Sequence, residues 1–274
     1  MKNQITRTIT GIIYVAMIVG GLCVHPYLFL LVFSVITGLM LWEFYGLLEH
    51  YGNISLDRPI ITIGGVYLFI ASFVYAAGLS DGKIFLPYIL FLMYLFISEL
   101  YNKKTVNHIH NWSYKLFGQV YCAAPFTLLN FIALGSGLSF TPWFVLALFV
   151  FVWINDSGAF LVGSQIGKHR LFERISPKKS WEGFVGGALF TLASSLVFAH
   201  YFSEISLYIW LGLSATIVVF ATLGDLTESL LKRTLGVKDS GKLLPGHGGM
   251  LDRFDSIIMA IPALYIYLKL FIQN

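Results

Sequence analysis

Apolar residues fall along this chain in blocks near 9–25, 27–46, 60–78, 85–98, 115–135, 139–155, 183–203, 206–224 and 256–272, separated by short polar stretches. A helix needs about 20 such residues to cross the hydrocarbon of a bilayer. The pattern therefore predicts nine transmembrane helices and an all-α, polytopic integral membrane protein. The block at 85–98 is short and Gly20 and Gly21 interrupt the first, so span boundaries are set only to within several residues.

Orientation follows from the basic residues. With the N-terminus placed in the cytoplasm and the sides alternated, sixteen of the eighteen Lys and Arg residues lie inside, and only Lys83 and Lys269 fall outside. Lys2 and Arg7 ahead of the first apolar block also resemble the start of a signal peptide, but no small-residue cleavage site follows before Pro26. An uncleaved first helix is expected, in the cell (inner) membrane, with the chemistry at the cytoplasmic face.

Composition agrees with that reading. Of 274 residues, 57% are hydrophobic and 12% charged, against roughly 25% charge in a soluble domain. That excludes an ordinary soluble globule and a disordered chain. Two cysteines a hundred residues apart, Cys23 and Cys122, give neither a disulfide framework nor a thiolate metal site. The net charge of +4 points to anionic headgroups and phosphorylated substrates, with no nucleic acid expected, because the cations alternate with membrane spans.

Charge is unevenly spread: nineteen of the thirty-two charged residues lie within 156–255. Residues 1–150 read as a transmembrane scaffold, and 151–274 as the catalytic region. In the segment 153–187, Asp156 sits at the cytoplasmic end of a span, where an ionised carboxylate is costly without a cation or donors. Its other reading is a cap for a short helix beginning at Gly158. Ser176, Pro177, Lys178, Lys179 and Ser180 form a basic turn ahead of Trp181 and Glu182. It can clamp phosphates, or anchor the topology as lysine pairs at a membrane boundary do.

The segment 224–256 is more specific. Read as a helix from Asp225, it places Asp225, Glu228, Ser229, Lys232 and Arg233 on one face and Leu226, Leu230, Leu231 and Leu235 on the other. Lys238, Asp239 and Lys242 follow, then Pro245, Gly246, His247, Gly248 and Gly249. Glycines at this density let backbone N–H groups approach an anion, and the lysines add charge. The last span opens with Asp252, Arg253 and Asp255, which a helix N-terminus would also favour singly. Together, carboxylates at the ends of separate spans suit Mg²⁺, and Mg²⁺ with lysines suits a nucleoside triphosphate. The residues alone thus indicate a phosphoryl or nucleotidyl transferase of unnamed substrate. A transporter also uses intramembrane acids, but would carry them near mid-span in two corresponding halves.

The stretch from Ser229 to Asp255 resembles the signature of the phosphatidate cytidylyltransferase (CDP-diacylglycerol synthase) family: S-x-x-K-R at 229–233, K-D at 238–239, P-x-H-G-G at 245–249 and D-R-x-D at 252–255. The segments GDLTES, SPKKSWEG and DSGAF are similar as well, so the likeness covers about 100 residues and leaves the N-terminal half matched only in hydropathy. The resemblance implies the reaction of CTP with phosphatidate, giving CDP-diacylglycerol and pyrophosphate with a divalent metal, Mg²⁺. It implies Asp225 and Asp252 as metal ligands and catalytic residues, with Asp156, Glu228 and Asp255 as nearby carboxylates. It also implies Lys232 and Arg233 as catalytic cations. Ser229, Lys238, Asp239, Lys242, Gly248, Gly249, Arg253, Ser176, Lys178 and Lys179 are expected to bind substrate. His247 is expected to donate to phosphate or order the loop, with general-base action as the alternative. Another phosphorylated lipid as acceptor stays open, because no apolar residue encodes chain type. A homodimer is expected by analogy with the family alone.

Overall fold

A computed structural model describes residues 2–52, 54–103, 107–134, 139–241, 243 and 248–272, with side chains from residue 8 onward. The chain forms helices α1 (Lys2–Cys23), α2 (Pro26–Tyr51), α3 (Arg58–Ala76), α4 (Leu86–Ser98), α5 (His108–Gly118) and α6 (Ala124–Leu134), followed by α7 (Trp143–Ile166). A hairpin of β1 (Arg170–Phe172) and β2 (Ser176–Ser180) leads into α8 (Trp181–Tyr201), α9 (Leu207–Thr234) and α10 (Leu251–Phe271). Among the described residues, seven helical stretches are long and apolar enough to cross a membrane, with α5 and α6 counted as one through a π-helical turn at Gln119–Ala123. Thr8–Cys23 and Gly82–Ser98 are shorter apolar helices. The protein is an all-α polytopic membrane protein, with one small hairpin.

The chain divides into two compact units: residues 1–142 with 235–253, and residues 143–234 with 254–274. A division at 150 and 151 differs from this chiefly in the loop 235–253, which clusters with the first unit.

In the first unit α2 is buried along much of its length, through Phe29, Phe33, Ile36, Met40, Phe44 and Tyr45. Phe29 lies 4.8 Å from Phe33 and 6.3 Å from Phe69, ring centre to ring centre, within the range of favourable aromatic pairs. Pro26 and Pro59 stand in the first turns of α2 and α3, where a missing N–H costs no helical hydrogen bond. At the π-helical turn, Gln119 donates to the Tyr45 hydroxyl at 2.9 Å and the Ile61 carbonyl at 3.0 Å. The Tyr88 hydroxyl donates back to it at 3.2 Å.

Lys115 is buried in α5. Its ammonium binds Glu99 at 2.6 Å and donates to the Ser98 hydroxyl at 2.9 Å. Asn111 donates to both Glu99 oxygens at 3.2 Å, and the His108 ring stands 3.1 Å away. Burial opposes ionisation of Glu99, but the Lys115, His108 and Asn111 hydrogen bonds outweigh it and hold the carboxyl below its ordinary range.

The second unit is built on the close approach of α7 and α8. Gly183 and Gly187 repeat at four residues on α8, opposite Asn155, Ala159 and Gly163 on α7. A Cβ at Gly187 would lie 2.6 Å from the Asn155 carbonyl, and one at Gly183 would lie 2.8 Å from the Ala159 carbonyl. Small residues at this spacing let helix backbones approach where lipid provides no hydrophobic drive. Gly224 does the same between α9 and α10: a Cβ there would lie 2.6 Å from the Asp255 carbonyl.

Two sequence expectations change. The block at 139–155 and the short helix expected at Gly158 are one helix through Ile166, so Asp156 lies inside α7 and is no cap. The span at 206–224 and the amphipathic helix from Asp225 are likewise continuous as α9, which ends where Gly236 turns the chain at φ +72°.

Candidate functional site

The second unit encloses a cavity of about 650 Å³. Asn155 and Asp156 of α7 face it, together with Arg170, Ser176, Lys178 and Lys179 of the hairpin and Asp225 of α9. The apolar part of its lining includes Phe160 and Phe184. Polar residues on α7 come in register because the helix continues past Asp156, and Asn155, Ala159 and Gly163 share one face at four-residue spacing.

The hairpin holds the cations. Arg170 pairs with Ser180 and Phe172 with Ser176 in antiparallel register. Ser180 then caps α8, its hydroxyl accepting from the Gly183 N–H at 3.1 Å. Glu182 in the first turn of α8 accepts from the backbone N–H of Lys168 at 3.1 Å and of His169 at 3.2 Å, and meets the His169 ring at 2.6 Å. The stretch read as a basic turn is therefore a strand tied down at both ends. Its Lys179 ammonium binds Asp225 at 2.5 Å.

Asp225 also accepts from the Ser229 hydroxyl at 3.2 Å. One turn on, Glu228 is buried and paired with Lys232. Arg233 is exposed, and its Nε donates to the Ile175 carbonyl at 3.4 Å, joining the end of α9 to the hairpin. Asp255 of α10 interacts electrostatically with Asp225, Glu228 and Asp156. Among the described residues, Lys179 and Lys232 pair with Asp225 and Glu228. Carboxylate oxygens are hard ligands of the kind that suit a divalent cation. Among the described residues, however, no three metal-binding side chains converge in ligand geometry.

Asp252 belongs to the first unit, at the start of α10. Its carboxylate accepts from the N–H of Ser240 at 2.9 Å and of Gly249 at 2.9 Å, and its own N–H donates to the Ser240 hydroxyl at 3.3 Å. The carboxylate thus reaches from the first helical turn back to the N–H of a residue ahead of the helix, satisfying a donor there. Gly248 turns at φ +83°, the left-handed region that an L side chain resists. Lys238, Asp239 and Arg253 are exposed. Lys242 and His247 lie outside the described residues.

Thus the cavity draws together Asp156, Ser176, Lys178, Lys179 and Asp225. Ser229 touches Asp225, while Glu228, Lys232, Arg233 and Asp255 do not line the cavity. Sequence reasoning passed over Arg170, Asn155 and Glu43. Arg170 was one of ten cations in its region, and Asn155 looked like the end of a span. Glu43, a lone carboxylate inside an apolar block, was the clearest available signal.

The profile of the cytidylyltransferase family matches residues 5–271. Among curated proteins, a phosphatidate cytidylyltransferase of Staphylococcus haemolyticus is 49% identical over 127 residues, covering 46% of this chain and 48% of that protein. The protein of the same name from Staphylococcus aureus is 43% identical over 154 residues, 53% and 59% of the two chains, and that from Staphylococcus epidermidis is 50% identical over 127 residues, 46% and 48%. The matched stretch spans about half of each of these relatives. With the family profile covering nearly its whole length, this chain belongs to the cytidylyltransferase family.

Proposed function

We propose that this chain is a membrane-embedded nucleotidyltransferase that uses CTP and phosphatidate to form CDP-diacylglycerol and pyrophosphate. The observation that carries the reading is the 650 Å³ cavity, where three cations of the hairpin region, Arg170, Lys178 and Lys179, meet the carboxylates Asp156 and Asp225. Such a wall of cations suits a polyanion, and carboxylates opposite it suit the metal that accompanies a triphosphate. Phe160 and Phe184 add the apolar surface that a lipid substrate needs.

In the reaction a phosphatidate oxygen attacks the α-phosphorus of CTP, and the bond to the β-phosphate oxygen breaks, releasing pyrophosphate. A phosphomonoester has its second pKa near 6, so the nucleophile is largely ionised at neutral pH and needs no strong base. His247 is accordingly assigned to phosphate or loop contacts. Lys178, Lys179 and Arg170 offset the repulsion between two polyanions, with Lys238, Lys242 and Arg253 as further phosphate contacts. Asp225 and Asp252, with Asp156, Glu228 and Asp255, are the proposed metal-binding carboxylates. Mg²⁺ would supply neutralisation of charge developing on the leaving pyrophosphate. The asymmetry of cations supports an active face toward the cytoplasm at the inner membrane, and a homodimer is retained by family analogy.

The test is reconstitution of purified protein in liposomes with labelled CTP, phosphatidate and Mg²⁺. Label should appear in CDP-diacylglycerol. No product across phosphatidates of varied chain length would refute the reading.

A further inference from the structure

Glu43 stands toward the C-terminal end of the apolar block 27–46 on α2, nine-tenths buried. Ionisable residues so placed are expensive unless donors meet them. Its Oε2 accepts from the Leu251 N–H at 2.9 Å and from the Ser240 hydroxyl at 3.3 Å. No donor among the described residues reaches Oε1. The loop is shaped around the carboxylate: a Cβ on Gly241 would lie 2.6 Å from Oε1, and one on Gly249 would lie 2.5 Å from Oε2. A side chain at either glycine would thus crowd a carboxylate some two hundred positions earlier in the chain.

Ser240 links this carboxylate to a second one. Its hydroxyl donates to Glu43 and accepts from the Asp252 N–H, while its own N–H donates to the Asp252 carboxylate. Leu251, held by Glu43, immediately precedes Asp252. We propose that Glu43 is the positioning residue of the signature loop, fixing Ser240 and the first turn of α10 so that the Asp252 carboxylate is presented in one orientation. The inference rests on Asp252 serving the proposed transferase. Losing this carboxylate leaves the Leu251 N–H and the Ser240 hydroxyl without their acceptor, which should loosen the loop by about tenfold or more in its opening equilibrium.

The experiment uses the full chain in detergent, with Glu43→Ala and Glu43→Gln. Two quantities are read: backbone amide exchange over Ser240–Gly241 and Gly249–Asp252, and the Mg²⁺ concentration giving half-maximal CDP-diacylglycerol formation. Glu43→Ala should speed exchange at Leu251 and Ser240 about tenfold or more and raise the Mg²⁺ requirement, whereas Glu43→Gln, which keeps an acceptor oxygen, should stay within about threefold of wild type in both. Unchanged exchange in Glu43→Ala overturns the proposal. So does faster exchange with an unchanged Mg²⁺ requirement, because that would make the residue structural only. If Glu43→Ala does not fold, Gly241→Ala, whose Cβ would meet Glu43, tests the contact from the loop side, and wild-type exchange and Mg²⁺ dependence there would also overturn it. A wild-type protein that forms no product refutes the transferase reading instead, while the exchange comparison still reports the hold of Glu43 on the loop.

Discussion

Adding a single methyl group at Gly187 should disable the site without replacing any polar residue in it. The new Cβ would lie 2.6 Å from the Asn155 carbonyl, 2.7 Å from Asn155 Oδ1 and 3.2 Å from the Ala159 Cβ. The side-chain oxygen can rotate away, but the backbone carbonyl cannot. Relieving that contact to about 3.2 Å requires α7 and α8 to separate by roughly 0.6 Å. Overpacking of this kind costs about 1–3 kcal/mol, which for a chain of this size lowers the unfolding midpoint by roughly 2–10 °C. The larger effect is on catalysis. Ser180 at the head of α8 and the hairpin with Lys178 and Lys179 move with that helix, and a misplacement near 1 Å can cost about 100-fold in rate. Gly187→Ala should therefore lose roughly 10- to 100-fold in CDP-diacylglycerol formation while remaining folded. Gly82→Ala, whose Cβ meets nothing within 4 Å, is the control and should match wild type. Thermal unfolding in detergent and the liposome assay measure the two effects. Wild-type stability and turnover in Gly187→Ala would refute the requirement for close helix contact.

Three further outcomes are expected. Asp225→Asn and Asp252→Asn should each abolish turnover in the liposome assay while the protein remains folded and inserted, and near wild-type rates in either would remove that carboxylate from the proposed metal-binding set. Lys179→Met should strip the cavity of the cation on Asp225 and raise the CTP or phosphatidate concentration needed for half-maximal rate by about tenfold, as read from initial rates. Glu99 titrates below its ordinary value of 4.5 in the folded protein, so its stabilising effect is present above that pH and is lost as pH falls through the lower folded value. The difference in unfolding midpoint between wild type and Glu99→Gln should accordingly hold above pH 4.5 and shrink as pH falls below it, and a constant difference would contradict the assignment.

Much of this architecture is legible from hydropathy because lipid enforces it: each apolar block has a helix at its position, and the cations and carboxylates of Asp156, Lys178, Lys179 and Asp225 do share one cavity. What escaped reading has physical causes. The polar run Asn155, Asp156, Ser157 looked like the end of a span, yet a helix facing a polar cavity can carry such residues without breaking. The hairpin at 170–180 is too short for its alternation to register, and its stability comes from Glu182 and Ser180, not from strand propensity. The Gly183 and Gly187 repeat was visible, but its meaning depends on a partner helix that no local pattern names. Glu43 was visible as an anomaly, while its connection to Ser240 and Leu251 spans about two hundred residues and exists only in the fold.

The ion pair between Lys179 and Asp225 makes the resting cavity its own electrolyte. On the proposed reading, a metal ion at Asp225 and a phosphate at Lys179 would each compete with this one ion pair, so that either ligand would weaken the pair's hold on the residue the other needs. By linkage that assistance would be equal in both directions.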